Sequence, residues 1–301
     1  MITDFNRNAL MERMAVIDNI ARAVADRESF RKVELGDPII TADDIKRVIL
    51  PFDNLRKKPI SKAKAFIARR LAEKLTVKVN KDTVIVGLEN ALNISGGSII
   101  TSNHYNPTDS TPIRMLARLL GKRKKHNIIV QQSNVFMMGL FGFLMRNCGT
   151  LPVSDSAEYM TKNLKPAIET LLCRGHLILI YPEQEMWYNY KKPRACRDGA
   201  YHYAAAFGVP IIPTFTQMQN IDGEYDENGF MKVKHILHVM PAIYPDPELS
   251  IRENRRNMQM RDIQCKTEAY ERAYGIDLTD DFDPYRDIAG YHSGLSDLLK
   301  G

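Results

Sequence analysis

Cysteine is scarce and scattered in this 301-residue chain. Cys148, Cys173, Cys196 and Cys265 are widely spaced and form no CxxC pair, so neither a disulfide framework nor a zinc site is expected, and no metal is. Long apolar runs are missing too. The longest, VFMMGLFGFLM from Val135 to Met145, is about half of what a bilayer-spanning helix requires. The opening residues MITDFNRNALMER are polar and do not resemble a signal peptide, which makes the reducing cytoplasm the expected address. No internal repeat is present. Apolar residues are not in short supply: at 44% hydrophobic and 26% charged, the chain fits a globular protein and neither a disordered nor a fibrous one.

The net charge of +6 is unevenly distributed. Residues 245–301 carry 8 Lys/Arg against 12 Asp/Glu, which leaves 34 against 24 in residues 1–244. A basic body attracts anionic partners, among them a lipid surface, a phosphorylated substrate, an acidic carrier or nucleic acid. The run GKRKKH at 121–126 raises the last of these. A short basic run after a helix is more simply a solvated helix end, and no nucleic-acid partner is expected.

The first 75 residues predict short helices broken at GDP and LPFD. Within them KKPISKAKAFIARRLAEKL, residues 57–75, is a basic amphipathic segment with Ile60, Phe66, Ile67, Leu71 and Leu75 at roughly helical spacing. It could lie on an anionic membrane or pack its stripe on the body. From residue 76 short β-rich runs alternate with helical ones. LTVKV, TVIVG, GSIITSNH, HNIIVQQ, TLPVS, HLILIYPEQ and VPIIPTFTQ are the predicted strands, and DENGF before MKVKHILHV predicts a hairpin turn. The fold class expected is α/β, a mainly parallel sheet flanked by helices with an N-terminal helical extension. The regions expected are 1–75 (helical, possibly membrane-associating), 76–245 (the α/β domain) and 246–301 (a helical and loop extension).

Two strand ends carry polar groups. After GGSII the chain reads TSNHYNPTDS, with His104 and Asp109 five positions apart and Thr108, Asp109 and Ser110 suited to open a helix. A carboxylate in reach of an imidazole fixes its tautomer and stabilises the imidazolium, which makes His104 a candidate general base. A capped helix with an incidental histidine is the plainer reading. No GxSxG elbow is present, so direct transfer to an alcohol is favoured over a covalent hydrolase. The second strand end is HLILIYPEQEMWYNYKKPR, residues 176–194. Glu183 could accept hydrogen bonds from substrate hydroxyls, and Lys191, Lys192 and Arg194 could hold a phosphate. A solvated charge run is the alternative.

These stretches resemble the glycerolipid acyltransferase family, which includes 1-acylglycerol-3-phosphate acyltransferases. The family pattern NHxxxxD is met by Asn103, His104 and Asp109, and its FPEGTRS block in part by Tyr181, Pro182 and Glu183. RDGAYHYAAAFGVPIIPTF, residues 197–215, is similar to the family's basic-x-Gly-Ala helix followed by VPIIPV, and the blocks agree in order over roughly residues 80–245. The resemblance implies that His104 deprotonates an acceptor hydroxyl, that Asp109 orients it, and that an acyl group passes from acyl-CoA or acyl carrier protein to a lysolipid without a covalent enzyme intermediate. It implies no metal and no cofactor beyond that co-substrate. Asn103, Glu183, Gln184, Lys191, Lys192 and Arg194 are the expected substrate-binding residues. The place of work implied is a lipid surface, with the protein peripheral on the inner face of the cell membrane.

The sequence departs from the family at two blocks. Ser154 or Asp155 stands where an arginine is expected, and Gln184-Glu185-Met186 replaces Gly-Thr-Arg. A bidentate arginine is not replaced by serine or methionine. Either the later basic residues hold the phosphate or the acceptor is another lysolipid, such as a glycolipid. A non-catalytic lipid-binding relative and a thioesterase are the other readings. VFMMGLFGFLM is expected either as core or as lining for an acyl chain, and Trp187, Tyr188 and Tyr190 either as interfacial anchors or as packing.

Overall fold

The computed structural model describes residues 6–121 and 124–300. Residues 1–5, which open the polar N-terminal stretch, and Lys122 and Arg123 of the GKRKKH run lie outside the described residues. Seven strands, β1 (Val84–Val86), β2 (Ser98–Thr101), β3 (His126–Gln131), β4 (Thr150–Val153), β5 (Leu177–Ile180), β6 (Ile211–Tyr225) and β7 (Met231–Val239), form one sheet in the order β1-β7-β6-β2-β5-β3-β4. Neighbours from β6 through β2, β5 and β3 to β4 are parallel. β7 turns back antiparallel to β6, and β1 runs parallel to β7. The expected α/β class is therefore observed, and the hairpin falls where DENGF predicts it. There the Asp226 carboxylate accepts from the backbone N–H groups of Asn228 and Phe230.

The central strands are apolar on both faces because helices cover both. Ile99, Ile178 and Ile211 pack against Ile168 and Leu172 of helix Lys165–Cys173 and Ala200 and Ala204 of helix Gly199–Phe207. Ile100, Leu179 and Ile212 pack on the other face against Ile113 and Leu116 of helix Ser110–Leu119. Gly97 lets β2 start close to a helix, since a Cβ there would lie 2.2 Å from the Leu172 carbonyl oxygen.

Two predicted elements differ. LTVKV is not a strand but the last turn of helix Pro59–Val79. Ala68, Ala72 and Thr76 continue one buried helical face into it, and the Asn80 side chain closes the end by donating to the Thr76 carbonyl at 2.9 Å. Tertiary packing thus overrides the β-branched composition. The stretch between HNIIVQQ and TLPVS, where the alternation of strands and helices predicts one helix, is a 3-10 turn, Gln132–Phe136, followed after a break by helix Gly139–Asn147.

Helix Pro59–Val79 docks on helix Gly139–Asn147 through Ala68 and Ala72 against Leu144 and Cys148, while Ile60, Phe66 and Ile67 of the predicted stripe stay exposed. The N-terminal helix Arg7–Ala25 buries Leu10, Ile17 and Ile20 against Trp187, Tyr190, Phe230 and Ile288, so N-terminal and C-terminal segments share a core with the loop after β5. Trp187, Tyr188 and Tyr190 are packing residues, all buried.

Helix Ile251–Tyr274 is fastened to the sheet by a buried ionic cluster. The Asp262 carboxylate accepts from Thr101 at the end of β2 (2.8 Å), from the Tyr201 hydroxyl (2.5 Å) and from the Lys266 ammonium (2.8 Å). Removing one partner of such a pair leaves the other charge buried alone. Asp262→Asn is expected to lower unfolding free energy by about 3–5 kcal/mol in urea titration, with part recovered in Asp262→Asn/Lys266→Met. An unchanged midpoint for the single variant would show that Lys266 finds another partner or reaches water.

Candidate active site

The carboxyl ends of the parallel strands converge on one cavity of about 360 Å³, lined by His104 and Asp109 after β2, Gln131 at the end of β3, Val153 at the end of β4 and Tyr181 after β5. This is where open α/β sheets place ligands. Asp109 is almost fully buried. One of its oxygens accepts from His104 Nδ1 at 2.6 Å and from the Tyr105 backbone N–H at 3.0 Å, and the other from the Tyr181 hydroxyl at 2.5 Å. With Nδ1–H donating to a carboxylate, Nε2 is the free, basic nitrogen. The Tyr181 ring also stacks on the imidazole, with centroids 4.0 Å apart and planes 9° from parallel. Burial, followed by the charge of Asp109, holds the Tyr181 hydroxyl well above its ordinary pKa, so it remains a donor.

Asp109 precedes helix Ser110–Leu119 as the sequence predicts, yet its side chain caps nothing. The turn is shaped by Asn106, whose Oδ1 accepts from the Thr108 N–H at 2.7 Å and whose carbonyl accepts from the Asp109 N–H at 3.1 Å. That leaves the carboxylate free to face the histidine.

Of the expected substrate-binding residues, only Gln184 lines the cavity, with a left-handed backbone at φ 64°. Asn103 is instead a clamp between strands, accepting from the Thr216 N–H at 2.8 Å and donating to the Thr216 carbonyl at 3.1 Å. Glu183 is buried with both oxygens occupied. One accepts from the His104 N–H at 3.2 Å and faces the Arg194 guanidinium at 3.1 Å, and the other accepts from the Arg194 backbone N–H at 3.0 Å. It fixes the backbone of His104 and, buried behind the loop, does not line the cavity.

The basic cluster is also internal. Lys191 donates to the Arg286 carbonyl at 2.8 Å, Lys192 pairs with Asp287 at 3.1 Å, and Arg194 reaches the Ser29 carbonyl at 2.8 Å. These three tie the loop after β5 to the terminal segments, and the expectation that they hold a phosphate at the site gives way to that role. Arg197 is the one Lys or Arg among the described residues lining the cavity.

Two features escaped the sequence reading. Tyr181 stands where the family block usually has phenylalanine, and that difference is the signal for its hydroxyl. Glu34 and Asp37, from the irregular segment after the first helix, join Glu185 in lining the cavity. No local pattern places a remote loop over a strand end. The opposite wall is apolar, with Met137, Phe141, Met145, Val153, Met160 and Ile180. Half of the VFMMGLFGFLM question is answered there: part of it lines a cavity, while Val135 and Leu144 are core.

A parallel α/β sheet with a histidine–carboxylate pair at its strand ends defines an enzyme-like site built for proton transfer. Residues 82–217 match the family model described as Acyltransferase, a stretch that holds His104, Asp109 and the block at Tyr181. Over that stretch the chain is similar to this acyltransferase family. No curated protein matches the sequence. Solved structures similar to it include the 1-acyl-sn-glycerophosphate (LPA) acyltransferase PlsC from Thermotoga maritima, at 14% identity and a TM-score of 0.48, covering 87% of this chain and 96% of that one.

Tyr181→Phe keeps the ring stack and removes one of three donors to Asp109. Hydrogen bonds to a charged group contribute on the order of 1.5–3 kcal/mol. The expected result for acyl transfer is a drop of roughly tenfold in kcat with little change in KM, and a larger loss for Tyr181→Ala, which removes the stack as well. Equal activity in Tyr181→Phe and the unaltered protein would show that the hydroxyl has no part in positioning the pair.

Proposed function

We propose that this protein transfers a fatty acyl group from a thioester, acyl-CoA or acyl carrier protein, to the hydroxyl of a lysolipid whose headgroup carries no net negative charge. The observation that carries the reading is the His104–Asp109–Tyr181 arrangement on a cavity with one apolar wall. His104 Nε2 takes the proton of the acceptor hydroxyl as its oxygen attacks the thioester carbonyl, and Asp109 stabilises the imidazolium. The tetrahedral intermediate then collapses: the carbon–sulfur bond breaks, the ester forms, and the imidazolium returns the proton to the departing thiolate. The apolar wall gives the acyl chain a place out of water, and its methionines and Phe141 can adjust to chain shape.

Electrostatics supports the choice of acceptor. The cavity is lined by Glu34, Asp37, Asp109 and Glu185 against Arg197. Burial raises the pKa of Glu34, which also pairs with Arg13 at 2.9 Å, and of Glu185. Arg13 and Lys32 are taken up by Glu34 and Asp37, so a phosphate monoester brought here would find Arg197 and no cation cluster. A zwitterionic or glycosyl headgroup does not call for one.

Thiol release from long-chain acyl-CoA or acyl carrier protein, with liposomes containing one acceptor at a time, tests the reading. Turnover is expected with lysophosphatidylcholine or a monoacyl glycolipid, less with lysophosphatidic acid, and a loss of roughly a hundred- to ten-thousand-fold in His104→Ala. Free fatty acid formed without acceptor would identify a thioesterase instead, and liposome binding with no turnover on any donor would identify a lipid-binding relative.

None of the described helices is long and apolar enough to cross a membrane. Met138, 87% exposed, and Leu140, 51% exposed, flank the apolar wall, and Ile60 and Ile67 lie exposed among basic residues on the neighbouring helix. These residues support peripheral contact with an anionic leaflet, the inner face of the cell membrane being the natural one. Co-sedimentation with phosphatidylglycerol vesicles is expected to fall severalfold in Met138→Ser/Leu140→Ser, with turnover on micellar acceptor retained. Undiminished sedimentation would place the membrane contact elsewhere.

A further inference from the structure

The end of the sheet opposite His104 carries a second concavity, of about 1090 Å³. It is lined at the amino ends of three parallel strands by His126, Gly149 and His176, and on its flank by helix Pro59–Val79. Its walls include nine Lys or Arg side chains and one carboxylate, Glu73, which pairs with Arg118 at 3.5 Å. Arg114, Lys74 and Lys78 have no ion pair among the described residues, and the Lys124 ammonium donates to the Gly96 carbonyl.

His126 is 8% exposed with both ring nitrogens buried and unpartnered, and burial followed by Arg114 keeps it well below the ordinary histidine range. It is a neutral ring with a donor and an acceptor to spare, lining a cationic groove. Phe66, 56% exposed, offers an aromatic face on the wall.

We propose that this groove binds the phosphorylated nucleotide of a coenzyme A thioester, which makes acyl-CoA the donor. The inference rests on the acyl-transfer reading and adds where the donor's charged end sits. Three observations favour it. The catalytic cavity has no cation cluster for three phosphoryl groups, whereas the groove has nine cations.

Cations on concave walls suit a ligand that enters. A flat bilayer would meet only those on the rim. An exposed aromatic ring beside cations is the chemistry that holds a base and its phosphates together.

Only a thin partition separates the two sites. A small cavity of about 40 Å³ shares Arg114 and Cys148 with the groove and Ser110, Phe141 and Met145 with the catalytic cavity. β3 runs from His126 at the groove to Gln131 at the catalytic cavity, about 17 Å at the usual rise per residue. An extended pantetheine arm can bridge such a span. Phe141 and Met145 form the shared wall, and they are the side chains that must turn to admit it.

The test is isothermal titration of the full chain with free coenzyme A, which needs no turnover, at low and high salt. It is paired with KM and kcat for acyl-CoA in Lys74→Gln/Lys78→Gln, whose two lysines are exposed, and in Arg114→Gln. Coenzyme A is expected to bind, more weakly at high salt, with Kd and KM both raised roughly tenfold in the variants and kcat within about twofold. Absence of coenzyme binding, or binding that the variants leave unchanged, overturns the proposal. So does a variant effect confined to holo-acyl carrier protein, to phosphatidylglycerol vesicles or to a random DNA duplex. Binding that the variants weaken supports the groove even where no acceptor is turned over. In that case the acyl-transfer reading alone has failed.

Discussion

The carboxylate of Asp109 accepts three donors from two strand ends, and the rest of the site takes its geometry from them. The imidazole of His104 comes from the same loop, the Tyr105 N–H from the turn between them, and the Tyr181 hydroxyl from the end of the neighbouring strand. A buried carboxylate satisfied in this way stays available as the hydrogen-bond acceptor that fixes the histidine tautomer. Because β2 and β5 are adjacent and in register from Ser98↔Leu177 to Thr101↔Ile180, the two loops leave the sheet side by side. The sheet pairing thus brings Tyr181 to a carboxylate 72 residues earlier in the chain.

Glu183 does for the backbone what Asp109 does for the side chain. It joins the His104 N–H to Arg194, and Arg194 carries the link to Ser29 and lies over the Trp187 ring at 4.3 Å. The loop after β5 is held from the other side by Lys191 and Lys192 against the C-terminal segment. Segments that sequence composition would set aside as extensions therefore brace the histidine. The same logic holds on the far side of β2, where Thr101 meets Asp262 of the long C-terminal helix.

Strand–helix alternation was legible because each central strand is a short apolar run bounded by turns, and because His104 and Asp109 are close in sequence. The reading failed where the deciding contact is remote. LTVKV looks like a strand until Ala68 and Ala72 are seen to continue one buried face through it. Glu183, Lys192 and Arg194 look like ligands for a substrate because charges near a motif read the same whether their partners are external or 100 residues away in the chain. Burial decides between the two, and only the fold supplies it. Asn103 shows the same limit, since its amide completes the β2–β6 pairing two residues beyond the strand.

The two departures from the family blocks make sense together once the charges around the cavity are in place. Met186 lines it where an arginine is expected, and of Ser154 and Asp155, the two candidates for the other arginine position, Asp155 receives a hydrogen bond from Gln132 at 3.2 Å. A phosphate-monoester acceptor would call for other cations in place of these two, and Lys191, Lys192 and Arg194 are engaged elsewhere. Glu34 and Asp37, from the segment after the first helix, then bring carboxylates to the cavity that already hold Arg13 and Lys32. Loss of cations and gain of carboxylates act in the same direction, because both weaken an anionic headgroup relative to a neutral or zwitterionic one. The basic surplus of the chain is correspondingly found at the other end of the sheet, about one strand length from the histidine. An enzyme that divides its charges in this way can attract an anionic donor at one end without drawing an anionic acceptor to the other.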